Sequence, residues 1–91
     1  MTYPEFREQE EEVKSVAFER FQQHCDNDLL FKYFWFGVES RAIGRDYDTC
    51  PFSSGKWQGA FLAGMEWYNN YNAGNDFISP ERIAALTGIE D

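Results

Sequence analysis

Positive charge is scarce in this chain. Eight Lys and Arg stand against sixteen Asp and Glu, giving a formal net charge of −8. Nucleic acid is a dense polyanion that proteins hold largely with clustered Lys and Arg. The overall charge therefore argues against direct nucleic-acid binding, and against an anionic membrane surface for the same reason. Cysteine is nearly absent too. Cys25 and Cys50 make no disulfide framework, and a reducing cytoplasm suits them. No apolar run approaches the roughly 20 residues of a membrane span. The opening MTYPEFREQEEEV is acidic and lacks the apolar core of a signal peptide, so the expectation is a cytoplasmic protein.

Chemistry-bearing motifs are equally thin. His24 is the only histidine, and without a CxxC the four-ligand pattern of zinc is missing. Cys50 as a nucleophile would need a base, and a packed structural thiol is the simpler use. Asp46 and Asp48 could in principle do acid–base work, but they sit in a turn-forming stretch. Gly44, Gly55 and Gly59 do not match the spacing of a phosphate-binding loop. No cofactor, metal or catalytic residue is expected.

Large rings, by contrast, are abundant: three Trp, five Tyr and nine Phe in 91 residues. That length suits one domain, residues 1–91, and the rings supply area for a compact core. The hydrophobic periodicity predicts an all-α fold. An N-terminal amphipathic helix occupies residues 1–23, with Thr2 and Glu5 as a capping box and Pro4 in the first turn. Phe6, Val13, Ala17 and Phe21 fall on its inner side, and Glu5, Glu8, Glu12 and Glu19 on the other. After a break at residues 24–28, Asn27 or Asp28 can cap a second helix over about 28–43. LLFKYFWFGV there would also fit a strand, but length and the capping signal favour helix. Only Lys32 and Glu39 mark a clear outer side, as in a central helix. Gly44 ends it, and Arg45–Gly55 is a loop. A third helix covers about 56–71, with Trp57, Phe61, Gly64, Tyr68 and Tyr71 on one face. Gly59 and Gly64 each cost about 1 kcal/mol of helix propensity, which implies close backbone packing against the second helix. Residues 72–91 read as a linker and a short helix capped by Ser79 and opened by Pro80. One internal echo sets Phe36-Gly37-Val38-Glu39 against Ala63-Gly64-Met65-Glu66.

One stretch carries a resemblance. Gly44, Arg45, Cys50, Pro51 and Phe52, followed by Trp57 and Gly64, resemble the ribosome modulation factor family and its small phage- and plasmid-borne relatives, over about residues 36–68. The pattern implies a two-helix hairpin closed by a Cys-Pro-aromatic turn, with either Gly59 or Gly64 in the family's glycine place. It also implies ribosome binding.

Charge and resemblance together set the functional expectation: a non-enzymatic binding protein. The helical stripe, extended by Asp26, Asp28, Asp46 and Asp48, reads either as a mimic of nucleic-acid phosphates or as an ordinary solvated face. On the first reading the chain is a phage- or mobile-element-type inhibitor. It would dock an acidic face on the basic nucleic-acid site of a larger machine, such as a CRISPR complex or a restriction enzyme. The alternative is a ribosome-associated modulator. The rings are expected in the core, with Trp67, at the edge of the third helix, as the exposed contact.

Overall fold

The computed structural model describes residues 2–52, 55–75 and 77–79. Among the described residues four α-helices follow one another: α1 Tyr3–Glu8, α2 Glu10–Gln22, α3 Asp28–Ile43 and α4 Gly55–Asn72, with a 3-10 turn at Tyr47–Thr49. No strand occurs among the described residues, so LLFKYFWFGV is helix. The short helix expected after Ser79 lies outside the described residues.

Local chemistry sets most of the ends. Thr2 caps α1: its N–H donates to Glu5 Oε1 at 2.8 Å, and Glu5 N–H returns a bond to Thr2 Oγ1 at 3.4 Å. Asn27, not Asp28, caps α3, its Oδ1 accepting from Leu29 and Leu30 N–H at 3.0 and 3.2 Å. Gly44 closes α3 at φ 106°. There Gly44 N–H bonds Arg41 O and Arg45 N–H bonds Ser40 O, the paired pattern of a Schellman ending. The same pattern closes α4, where Gly74 N–H reaches Tyr71 O and Asn75 N–H reaches Asn70 O.

The single N-terminal helix expected over residues 1–23 is instead two. Gln9 leaves helical geometry at φ −106°, ψ 14°, although its N–H still bonds Glu5 O and its carbonyl accepts from Val13 N–H. The chain bends at an elbow rather than stopping. No Gly or Pro marks the place, and the reason is tertiary. Phe6 lies stacked on Trp35 at 5.8 Å between centroids and edge-on to Tyr68 at 5.6 Å, while Val13, Ala17 and Phe21 remain buried on α2.

The hairpin of α3 and α4 is the centre of the molecule. A Cβ on Gly37 would overlap the Phe61 carbonyl and stand 3.1 Å from Met65 N. A Cβ on Gly64 would overlap the Phe34 carbonyl and stand 3.1 Å from Val38 N. The two sets of contacts are reciprocal, residue for residue, so the helices cross about a local two-fold. This explains the sequence echo around the two glycines, and it puts Gly64 rather than Gly59 at the crossing. Phe34, Val38, Ala60, Ala63, Met65 and Trp67 are buried around the crossing, each large side chain stabilising the fold by roughly 1.5–3 kcal/mol.

Gly64→Ala is therefore expected to destabilise the fold. The added methyl restores about 1 kcal/mol of helix propensity, but overpacking against a backbone carbonyl costs about 3 kcal/mol or more. The net loss of about 2 kcal/mol corresponds to a fall in Tm of roughly 10 °C for a chain of this size. Gly37→Ala should behave alike. Gly44→Ala meets nothing within 4 Å but holds a positive φ, so it should cost only about 1 kcal/mol. Thermal unfolding followed by circular dichroism checks the order; a neutral Gly64→Ala would contradict the backbone contact.

Candidate acidic docking face

The elbow decides where negative charge gathers. Glu8, Glu10, Glu11 and Glu12, together with Arg7 and Gln9, line a shallow concavity on its outer side. Glu8, Glu11 and Glu12 are exposed, and Glu19 is exposed farther along α2. Glu10 is partly engaged: its Oε1 lies 3.2 Å from Arg7 Nε, while Arg7 Nη1 donates to the Tyr3 hydroxyl at 3.2 Å.

The expected contact residues are thus sorted by the fold. Glu8, Glu12 and Glu19 stand on the outer surface. Glu5 is exposed but committed: its Oε1 accepts from both Thr2 N–H and Thr2 Oγ1, and these bonds hold its carboxyl below the usual range. Asp26 and Asp28 are exposed at the corner between α2 and α3, and Asp46 and Asp48 in the loop after α3. The sixteen residues of α3 separate the two pairs, about 24 Å at 1.5 Å per residue. The carboxylates therefore do not form one patch. Glu10 and Glu11, absent from the helical stripe expected from sequence, join the cluster through the bend at Gln9.

Trp67 is a correction. It is fully buried, stacked on Tyr71 at 4.9 Å and near Phe34 at 6.2 Å. The glycine crossing draws α4 so close to α3 that its nominal edge is covered. The exposed tryptophan is Trp57, 36 % accessible, its ring 4.7 Å from that of Tyr33 on α3.

The turn closes the hairpin end as its residues suggest. Phe52 packs edge-on to Tyr33 at 4.8 Å and to Phe61 at 5.8 Å, and Cys50 Sγ lies 3.4 Å from Phe52 O. Pro51 and Arg45 are exposed. Arg41 and Asn69, which carried no signal in the sequence, tie the loop to both helices. Arg41 Nε donates to Asn69 Oδ1 at 2.9 Å, Arg41 Nη1 to Arg45 O at 2.7 Å, and Asn69 Nδ2 to the Tyr47 hydroxyl at 2.5 Å. Arg41 also lies 3.7 Å from Asp46.

Glu39, on α3 beneath the elbow, has a raised pKa. Burial is the main cause and the Glu10 carboxylate adds to it; Lys14, a hydrogen bond from Trp35 and Arg7 oppose it. Among the described residues no helix is long and apolar enough to cross a membrane, and no three metal-donor side chains converge. No protein family, curated protein or solved structure matches the chain.

A carboxyl whose pKa rises on folding favours the folded state while protonated. Its contribution is complete below the ordinary value of 4.5 and fades as pH climbs through the raised value. Glu39→Gln keeps an acceptor for Trp35 and removes the charge. In dilute solution it should raise Tm at pH 7, with the gain shrinking to nothing below about pH 4.5. Equal Tm shifts at both pH values would contradict the assignment.

Proposed function

We propose that the chain is a non-enzymatic binding protein that sets the acidic outer face of α1 and α2 on a basic, nucleic-acid-binding surface of a larger complex. In this it acts as a phage- or mobile-element-type inhibitor of CRISPR or restriction machinery. The observation that carries the reading is the elbow at Gln9. It turns a run of glutamates into a clustered acidic concavity, continued by Glu19 along α2, in a chain of net charge −8. Carboxylates carried on a folded helix have their backbone already ordered, so little loop entropy is lost when a basic groove closes on them. The field of the whole chain steers encounter with such a groove and repels nucleic acid that competes for it.

A second reading, a ribosome-associated modulator, draws support from the glycine-crossed hairpin and its Cys50-Pro51-Phe52 closure. On that reading the contact is a basic ribosomal surface.

The test uses the immobilised chain in host lysate, with and without Glu8, Glu12 and Glu19 changed to Lys. All three are exposed, so far-ultraviolet circular dichroism should be unchanged. The protein retained by the natural chain should elute on adding excess duplex DNA or RNA. The reversed variant should retain about a tenth as much or less, equivalent to about 1.4 kcal/mol or more of lost binding. Retention indifferent to both charge reversal and nucleic acid would remove the inhibitor reading. Co-sedimentation with ribosomes at moderate salt would select the second one.

A further inference from the structure

The outward face of α3 is apolar where a solvated helix face is polar. Leu29 is 51 %, Phe36 40 % and Ile43 53 % accessible, with exposed Lys32 and half-buried Glu39 between them. The five positions follow one another at intervals of three, four, three and four, the spacing of a coiled-coil seam. They form one stripe about 21 Å long at 1.5 Å per residue. The other two sides of α3 are taken, by α4 and by α1 with α2; on this side Leu29, Lys32, Phe36 and Ile43 stay exposed, with Tyr3 and Phe52 bordering the Ile43 end.

We infer that this stripe is a self-association surface, on which a second copy of the chain packs its own α3 antiparallel about a two-fold axis at Phe36. The order apolar–Lys–apolar–Glu–apolar is its own complement when reversed. Leu29 of one copy meets Ile43 of the other, Phe36 meets Phe36, and Lys32 stands by Glu39 at both ends. A parallel arrangement would set Lys against Lys and Glu against Glu, which costs affinity. The shape agrees with the charge. A cavity of about 370 Å³ opens beside Ile43, walled by Tyr3, Phe36, Arg45 and Phe52. In the antiparallel register Leu29 of the other copy stands over it as a knob over a hole. A seam of one helix per copy lies at the small end of specific interfaces, where weak, transient association is expected.

Sedimentation equilibrium of the full chain at physiological ionic strength tests this. The mass should rise from 10.7 kDa toward twice that value as concentration passes through the micromolar range. Lys32→Glu and Glu39→Lys should each weaken the dimer on the order of tenfold, 1.4 kcal/mol. Mixed together, they should pair, because each then supplies the charge the other needs. Phe36→Ser, at an exposed position, should abolish association while circular dichroism stays unchanged. A mass fixed at the monomer value at all concentrations would overturn the inference. So would a dimer indifferent to Phe36→Ser and Lys32→Glu, or the failure of the two charge variants to pair when both are folded.

Discussion

The structure depends on one contact between two backbones, at Gly37 and Gly64. Each glycine faces the carbonyl three residues before the other and the amide one residue after it. Two glycines in helix interiors cost about 2 kcal/mol in propensity, and only the close approach they permit offsets this. The approach also dictates where the rings go. Side chains cannot occupy the seam itself, so Phe34, Trp35, Trp67 and Tyr68 are displaced to its flanks, where α1 and α2 supply Phe6, Phe21 and their neighbours to cover them. With one side of α3 given to α4, the N-terminal helices dock on a second side of it. On its third side Leu29, Phe36 and Ile43 remain exposed.

How legible each feature is in the sequence depends on how local its cause is. Caps need only a few adjacent residues. Thr2 with Glu5, Asn27, and Gly44 before a turn-rich loop therefore announce their helix ends, and the structure puts those ends within a residue or two. The inner stripe of Phe6, Val13, Ala17 and Phe21 follows from periodicity alone, and all four are buried. The glycine pair shows as an echo, but its meaning needs the antiparallel partner. Trp67 could not be placed from a helical wheel, because the wheel does not know how near the neighbouring helix lies. The elbow at Gln9 has no breaker residue. It exists because Phe6 seats against Trp35 and Tyr68, contacts 29 and 62 positions away in the chain.

The candidate site shares this split. That Glu8, Glu12 and Glu19 point outward is a local matter of helical spacing. That Glu8, Glu10, Glu11 and Glu12 surround one concavity is a consequence of the bend, and so belongs to tertiary structure. Glu5 shows the converse. Its place in the stripe suggests a partner contact, yet the same carboxylate completes the capping box, and one oxygen pair cannot serve both uses at full strength.

The two surfaces respond oppositely to salt, which keeps them physically distinct. Two chains of charge −8 with centres about 25 Å apart repel by roughly 10 kcal/mol in water without salt. That exceeds what one apolar seam and two Lys–Glu pairs, each about 0.2–1 kcal/mol, can supply. A Debye length of about 8 Å at physiological ionic strength cuts the repulsion by roughly an order of magnitude, while burial of Leu29, Phe36 and Ile43 is almost untouched. Self-association should therefore strengthen as salt rises from the millimolar range. Docking of the acidic face on a basic groove, an attraction of opposite fields, should weaken over the same range. If both weakened together, the dimer would be held by its charges rather than by its apolar seam, and the outward face of α3 would no longer account for it.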